Sequence, residues 1–191
     1  MKALRTLARA VGLRRPSDAN RRDRPRLPEP AVPITGAVYS ALAISNEMIV
    51  MGMRRSAMGH NKLVQIVQGN ALALGRSIIP ELPEIWRYGP VLRTLYLIQN
   101  HLGHAIIDRP LQAGPFDAPA RVDPDDEWTL SLIRRIVDGH ACVSTLDLSS
   151  LLHAEGTPWK DEAIRFDFSV PVGTTVPQWR IADHYGRRIA A

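Results

Sequence analysis

Proline sets the strongest limit on how this chain can fold. A proline inside a helix removes a backbone donor and clashes with the preceding turn, so each one marks a place where a helix cannot run. Five of the fifteen, Pro16, Pro25, Pro28, Pro30 and Pro33, crowd into one arginine-rich stretch near the start, and Pro80, Pro83, Pro110, Pro115 and Pro119 interrupt the remainder. Between them, apolar residues recur at spacings of three and four, the period of a helix with one buried face.

These intervals predict the elements. Thr35 or Gly36 can open a helix to about Arg55, with Val38, Leu42, Ile44, Met48, Ile49 and Met53 on a broad apolar face. Residues 60–74 form a second helix through Leu63, Ile66, Val67, Asn70 and Leu74, ended by Gly75, and these two are expected to pack antiparallel. Ile78 to Tyr88 holds two prolines and reads as an irregular loop or a single turn, after which Gly89 and Pro90 start a helix running to Gly103. Residues 104–122 read as a surface loop. Asp123 with Pro124 caps the next helix, whose acidic first turn (Asp125, Asp126, Glu127) and late Arg134 and Arg135 suit the helix dipole, with Trp128, Leu132, Ile133 and Ile136 toward the core and Gly139 at its end.

Ser144 with Asp147 resembles a capping box before Leu148, Leu151 and Leu152. Thr157 with Pro158 caps a short helix from Trp159 to about Ile164. Phe166 and Phe168 alternate with polar residues, which predicts a short strand or extended edge over Arg165 to Val170, and a last helix from about Pro177 to Arg188 carries Ile181 and Tyr185. The expected fold is mainly α: one compact domain of six to seven helices over residues 34–191, with at most a short strand or hairpin, preceded by a basic, proline-rich arm over residues 1–33.

Charge separates the arm from the domain. Residues 1–30 hold nine basic groups against three acidic ones, a net of +6, which leaves −1 of the chain's +5 for the rest. A nucleic-acid-binding core is therefore disfavoured. The arm reads as solvated and mobile; the sharper alternative is a tether to anionic lipid or nucleic acid, helped by a short amphipathic helix over residues 2–14. An apolar fraction of 45% fits a folded domain. The longest apolar runs, Ile44 to Met53 and Leu92 to Ile98, are broken by polar residues and fall short of a membrane span. The arginines also interrupt every window that could act as a secretory signal core, and a lone cysteine, Cys142, fits a reducing compartment, so a cytoplasmic location is expected.

Signals for chemistry are weak. There is no glycine-rich phosphate loop, no paired-cysteine motif and no His-Glu-x-x-His helix. His101 and His104, with Asp108 as the only obvious third ligand, are better read as solvent-facing helix-end residues than as a metal site. Cys142 near His140 is better read as a small core residue than as a nucleophile, and Asp123 to Glu127 as helix N-terminal charge than as a magnesium site. No metal, cofactor or catalytic residue is expected. His153, at a helix end before Trp159, has two readings: a cap packed on that tryptophan, or the side of a partner-binding groove.

Several segments taken in order resemble one family: YSALAISNEMIVMG, NKLVQIVQGNALALG, EIWRYGPVLRTLY, LLHAEGTPW and VPQWRIADHY. Over residues 36–188 the chain is similar to the Panacea domain, also called the SocA-like or GepA domain, of bacterial and phage antitoxins. WRYGPV at 86–91 and HAEGTPW at 153–159 are the most specific pieces. The resemblance implies a helical domain that neutralises a cognate toxin by direct binding, in some members by presenting it to a protease, so a protease or chaperone is a further expected partner. Carried over by position, it implies partner-binding roles for Lys62, Trp86, Tyr88, Gly89, Pro90, Tyr96, His153 and Trp159. Leu63, Gly69 and Leu72 to Leu74 also match, as does Val91. Gly59, Gln65, Gln68 and Asn70 depart from the pattern, with glutamines and asparagine where tyrosine, histidine and tryptophan are usual, which implies a remodelled or weakened groove. The alternatives are a phage or prophage accessory protein acting through the basic arm, and a small hydrolase using Cys142 or His153.

Overall fold

A computed structural model describes residues 36–190, so the arm over 1–33 lies outside the described residues. Among these residues the chain is mainly α, with seven helices and one two-stranded hairpin: α1 Ala41–Val50, α2 Ala57–Ala73, β1 Glu84–Trp86, β2 Gly89–Val91, α3 Arg93–Gln99, α4 Glu127–His140, α5 Thr145–His153, α6 Pro158–Arg165 and α7 Gln178–Ala190. None of the described helices is long and apolar enough to cross a membrane.

The core is built around α2, which packs against α1, α3, α4, α5 and α7. Thirteen of its 17 residues are buried, polar ones included. A helix enclosed on every side must satisfy its polar side chains internally. Its amides and Lys62 do so by binding backbone, while His60 has no hydrogen-bond partner among the described residues. Gln68 takes the Ile78 and Ile79 N–H groups on its Oε1 at 3.2 and 3.0 Å and donates Nε2 to the Ile79 carbonyl at 3.0 Å. Asn61 accepts from Leu92 N and donates to Leu92 O at 3.1 and 2.9 Å. Each group left unpaired there would cost about 1–3 kcal/mol, so these contacts decide the path of residues 77–92.

Tyr185 of α7 lies flat on Gly69, where any added Cβ would strike its ring. The long 104–122 segment is pinned as well: Asn46 exchanges hydrogen bonds with Leu111 and donates to the Ala120 carbonyl, and Arg121 holds the buried Glu47 through two bonds of 2.9 and 3.2 Å.

Several boundaries differ from expectation. Helix α1 starts at Ala41, because Ser40 caps it by accepting from Ala43 N at 3.1 Å. It stops at Val50, because Gly52 (φ +98°) turns the chain left-handed and the Gly52 and Met53 N–H groups close onto Ile49 and Met48. Asp126, not Asp123, caps α4 by accepting from Thr129 N, while Asp123 closes a local turn with Asp125 N; α4 also runs one residue past Gly139. The strand expected over 165–170 is absent. Phe166 ends α6, Asp167 and Phe168 take φ of 51° and 57°, and Phe168 is exposed beside Lys160. The extended chain lies instead at 84–91, with Thr175 bridging Glu84 on the free edge of β1. Gly89 and Pro90 do not start a helix. Pro90 tolerates the strand because it needs no donor there, and α3 begins at Arg93.

Candidate functional site

The site is assembled around the hairpin. Glu84 pairs with Val91, Ile85 with Pro90 and Trp86 with Gly89, leaving Arg87 and Tyr88 as the two-residue turn. Gly89 has φ +115°, and the His153 ring lies so close over it that a Cβ would overlap the imidazole; no other residue type fits. Behind it the Pro90 carbonyl accepts two hydrogen bonds from α2, from Lys62 Nζ at 2.6 Å and from Gln65 Nε2 at 3.0 Å. A rigid helix therefore holds the inner strand.

The rings form a continuous series. Trp86 meets Tyr96 edge to face at 4.8 Å between centroids. Trp159 Nε1 donates to the Trp86 carbonyl at 3.2 Å, and the Trp159 and His153 rings lie 4.7 Å apart. Trp86 Nε1 donates to Glu84, which also pairs with Arg93 at 3.4 Å. All eight residues implied by the resemblance thus fall in one constellation, but they divide by exposure. Lys62 is 3% exposed and Trp159 7%, and Gly89 and Pro90 are buried; these four support the surface without forming it. Tyr88 is 79% exposed with Arg87 stacked on its ring at 5.3 Å, and Tyr96 is 39% exposed; Trp86 and His153 are half-buried between them. Leu97, next along α3, is an exposed apolar residue that the resemblance did not single out; its position one step beyond Tyr96 was the available signal.

Electrostatics agree with a supporting role for the inner residues. Burial pushes the Lys62 amine down to about 8. Burial also lowers the His153 imidazole, and the Lys62 and Lys160 charges push it the same way while a backbone hydrogen bond with Tyr88 opposes them. His153 is then neutral near pH 7, its Nδ1 3.3 Å from Ser149 Oγ one helical turn away.

The other candidates are dispersed. Cys142 is exposed in the turn after α4, contrary to the expected core position; Val143 packs against the core in its place. His140 engages the Ile136 carbonyl through Nδ1. His101 and His104 are exposed, and among the described residues no three His, Cys, Asp or Glu side chains gather as metal ligands. Gln65, Gln68 and Asn70, read from the resemblance as lost contact area, all hydrogen-bond backbone, and the two glutamines line a small apolar cavity of about 40 Å3 under the hairpin. Gly59 lies against Arg55 and Thr145, where any added side chain would displace them.

No protein-family model, no curated protein and no solved structure matches the chain.

Proposed function

We propose that this chain is an antitoxin-like binding protein of the kind the Panacea resemblance implies. It grips a cognate toxin polypeptide in the cytoplasm through the hairpin face and, in the extended form of the reading, escorts it to a protease or chaperone. The observation that carries the reading is Tyr88, a tyrosine left 79% exposed on a two-residue turn whose strands are anchored by Lys62, Gln65 and His153. Large aromatic side chains held rigidly lose little entropy on binding and dominate interface energetics. Exposed Tyr96 and Leu97 extend the apolar area, and Arg87 and Arg93 give it a polar rim. An enzymatic role has less support: the hydroxyl and imidazole that meet beside the hairpin, Ser149 and His153, are neighbours on one helix turn, and the charges acting on His153 are those of lysines, where a triad needs an orienting carboxylate.

Co-expression with the product of the adjacent reading frame tests the proposal. Rescue of growth and co-purification with the chain are expected; a toxic neighbour that is neither rescued nor captured refutes it.

The uneven charge favours one second reading, contact with nucleic acid or an anionic membrane through residues 1–30. Binding by that route should collapse on raising salt from about 50 to 200 mM and vanish when residues 1–30 are deleted, because it consists of charge neutralisation.

A further inference from the structure

A cleft of about 250 Å3 opens where α2, α4, α5 and α7 meet, and none of the eight hairpin-face residues lines it. Its apolar wall is made by Ile66, Ile136, Leu151, Leu152 and Ile189. The volume falls just below the roughly 300–1,000 Å3 of pockets that enclose drug-sized molecules, so a short ligand matches it.

Four polar side chains line the same space: Asn70, His140, Tyr185 and Arg188. Asn70 Nδ2 donates to the Ile66 carbonyl at 2.9 Å. His140 Nδ1 lies 2.8 Å from the Ile136 carbonyl, which can only accept, so Nδ1 carries a proton and Nε2 remains for another group. Tyr185 is 8% exposed, and its ionisation is governed by burial and by Arg188, with no hydrogen bond contributing. Its phenol, pushed up to about 12, is an O–H donor at neutral pH without an acceptor among the described residues. Arg188 lines the cleft with Tyr185 and its charge acts on that phenol, and among the described residues no carboxylate side chain lines the cleft.

Basic residues in a last helical turn often do no more than offset the negative end of the helix dipole. Arg188 shares the last turn of α7 with Arg187, and the carbonyl ends of α4 and α5 that border the cleft are met by other groups. Arg55 Nη2 donates to the His140 and Ala141 carbonyls at 2.9 and 2.8 Å, and Thr157 Oγ1 donates to the Leu152 and Ala154 carbonyls at 3.1 and 2.8 Å. What remains among the lining residues is an exposed arginine and a tyrosine whose hydroxyl has no described acceptor, set beside aliphatic carbon.

We propose that this cleft binds a small amphipathic carboxylate, its apolar body against Ile66, Ile136 and Leu151 and its carboxylate on Arg188 and the Tyr185 hydroxyl. Guanidinium and carboxylate match in planar geometry, and a phenol donor beside them completes the anion's coordination. The site is independent of the hairpin face, so either can fail alone.

Calorimetric titration of the full chain with octanoate tests it, with octanol as the uncharged tail and inorganic phosphate as the tailless anion. Octanoate should bind saturably, and each control at least about tenfold more weakly. Arg188→Gln, a surface change, and Tyr185→Phe, which keeps the ring on Gly69, should each weaken octanoate by at least about tenfold. Where Tyr185→Phe does not fold, Arg188→Gln decides. Absence of saturable octanoate binding, octanol or phosphate binding as tightly as octanoate, or an unchanged affinity in Arg188→Gln overturns the proposal.

Discussion

Lys62 shows how one residue can serve a surface it does not form. Its ammonium is buried on the Pro90 carbonyl, and burial lowers its pKa from 10.5 to about 8. Below pH 8 both the folded and the unfolded chain carry the proton, and the folded state bears the cost of an enclosed charge. Between pH 8 and 10.5 the folded chain releases it first, so the unfolded state binds more protons and stability rises with pH. Lys62→Met should abolish that rise while staying neutral to about 2 kcal/mol more stable at pH 7, since an apolar replacement of a buried charge is often tolerated; thermal unfolding of both chains at pH 7 and 9.5 measures it. His60 has the opposite limb. It is fully buried, neither ring nitrogen has a partner among the described residues, and burial with the Arg55 and Arg54 charges lowers its pKa from 6.5 to about 4. The unfolded chain takes up that proton as pH falls through 6.5, so stability is lost progressively down to about 4. His60→Leu should flatten the acid limb of a stability profile between pH 7 and 4.5; a limb as steep as the native one would show that other groups drive it.

Among elements, locally encoded features were legible and the hairpin was not. Ser144 accepts from Asp147 N at 3.1 Å and Thr157 from Lys160 N at 3.4 Å, both as their sequence motifs imply, because a cap is decided within four residues. Ser144→Ala should therefore cost about 1 kcal/mol in chemical denaturation. A strand of three residues is too short to display alternation, and Gly89-Pro90 satisfied the rule for a helix start. What decides in favour of a strand is distant in sequence: the donors from Lys62 and Gln65, 28 and 25 residues away, and the ring of His153 over Gly89. Gly89→Ala should cost about 1–3 kcal/mol, since the left-handed backbone and the imidazole both exclude a side chain. A melting temperature within about 1 °C of native, an interval of about 0.3–0.5 kcal/mol in a domain of this size, would contradict the packing described here.

At the scale of the whole molecule, the sequence correctly suggested a helical domain and named residues that the structure brings together, but it could not sort them by depth. Lys62, Pro90 and Trp159 take contact roles from the family resemblance, which carries position in the sequence and not depth, yet here they are enclosed. The polar run of α2 gave no outward sign that it would be buried, since its partners are backbone groups that no side-chain pattern reveals. The cleft between α2, α4, α5 and α7 was equally hidden, being lined by residues from four separate segments. The molecule places the exposed Tyr88 on a short hairpin buttressed by α2, the helix on which the proposed docking role depends. The most direct test is calorimetric titration of the adjacent gene product into the native chain and into Tyr88→Ser, a change at an exposed turn position that should leave melting unaltered. The account predicts saturable binding to the native chain and a loss of at least about tenfold in the variant; equal affinity for both, or no binding to either, would contradict it.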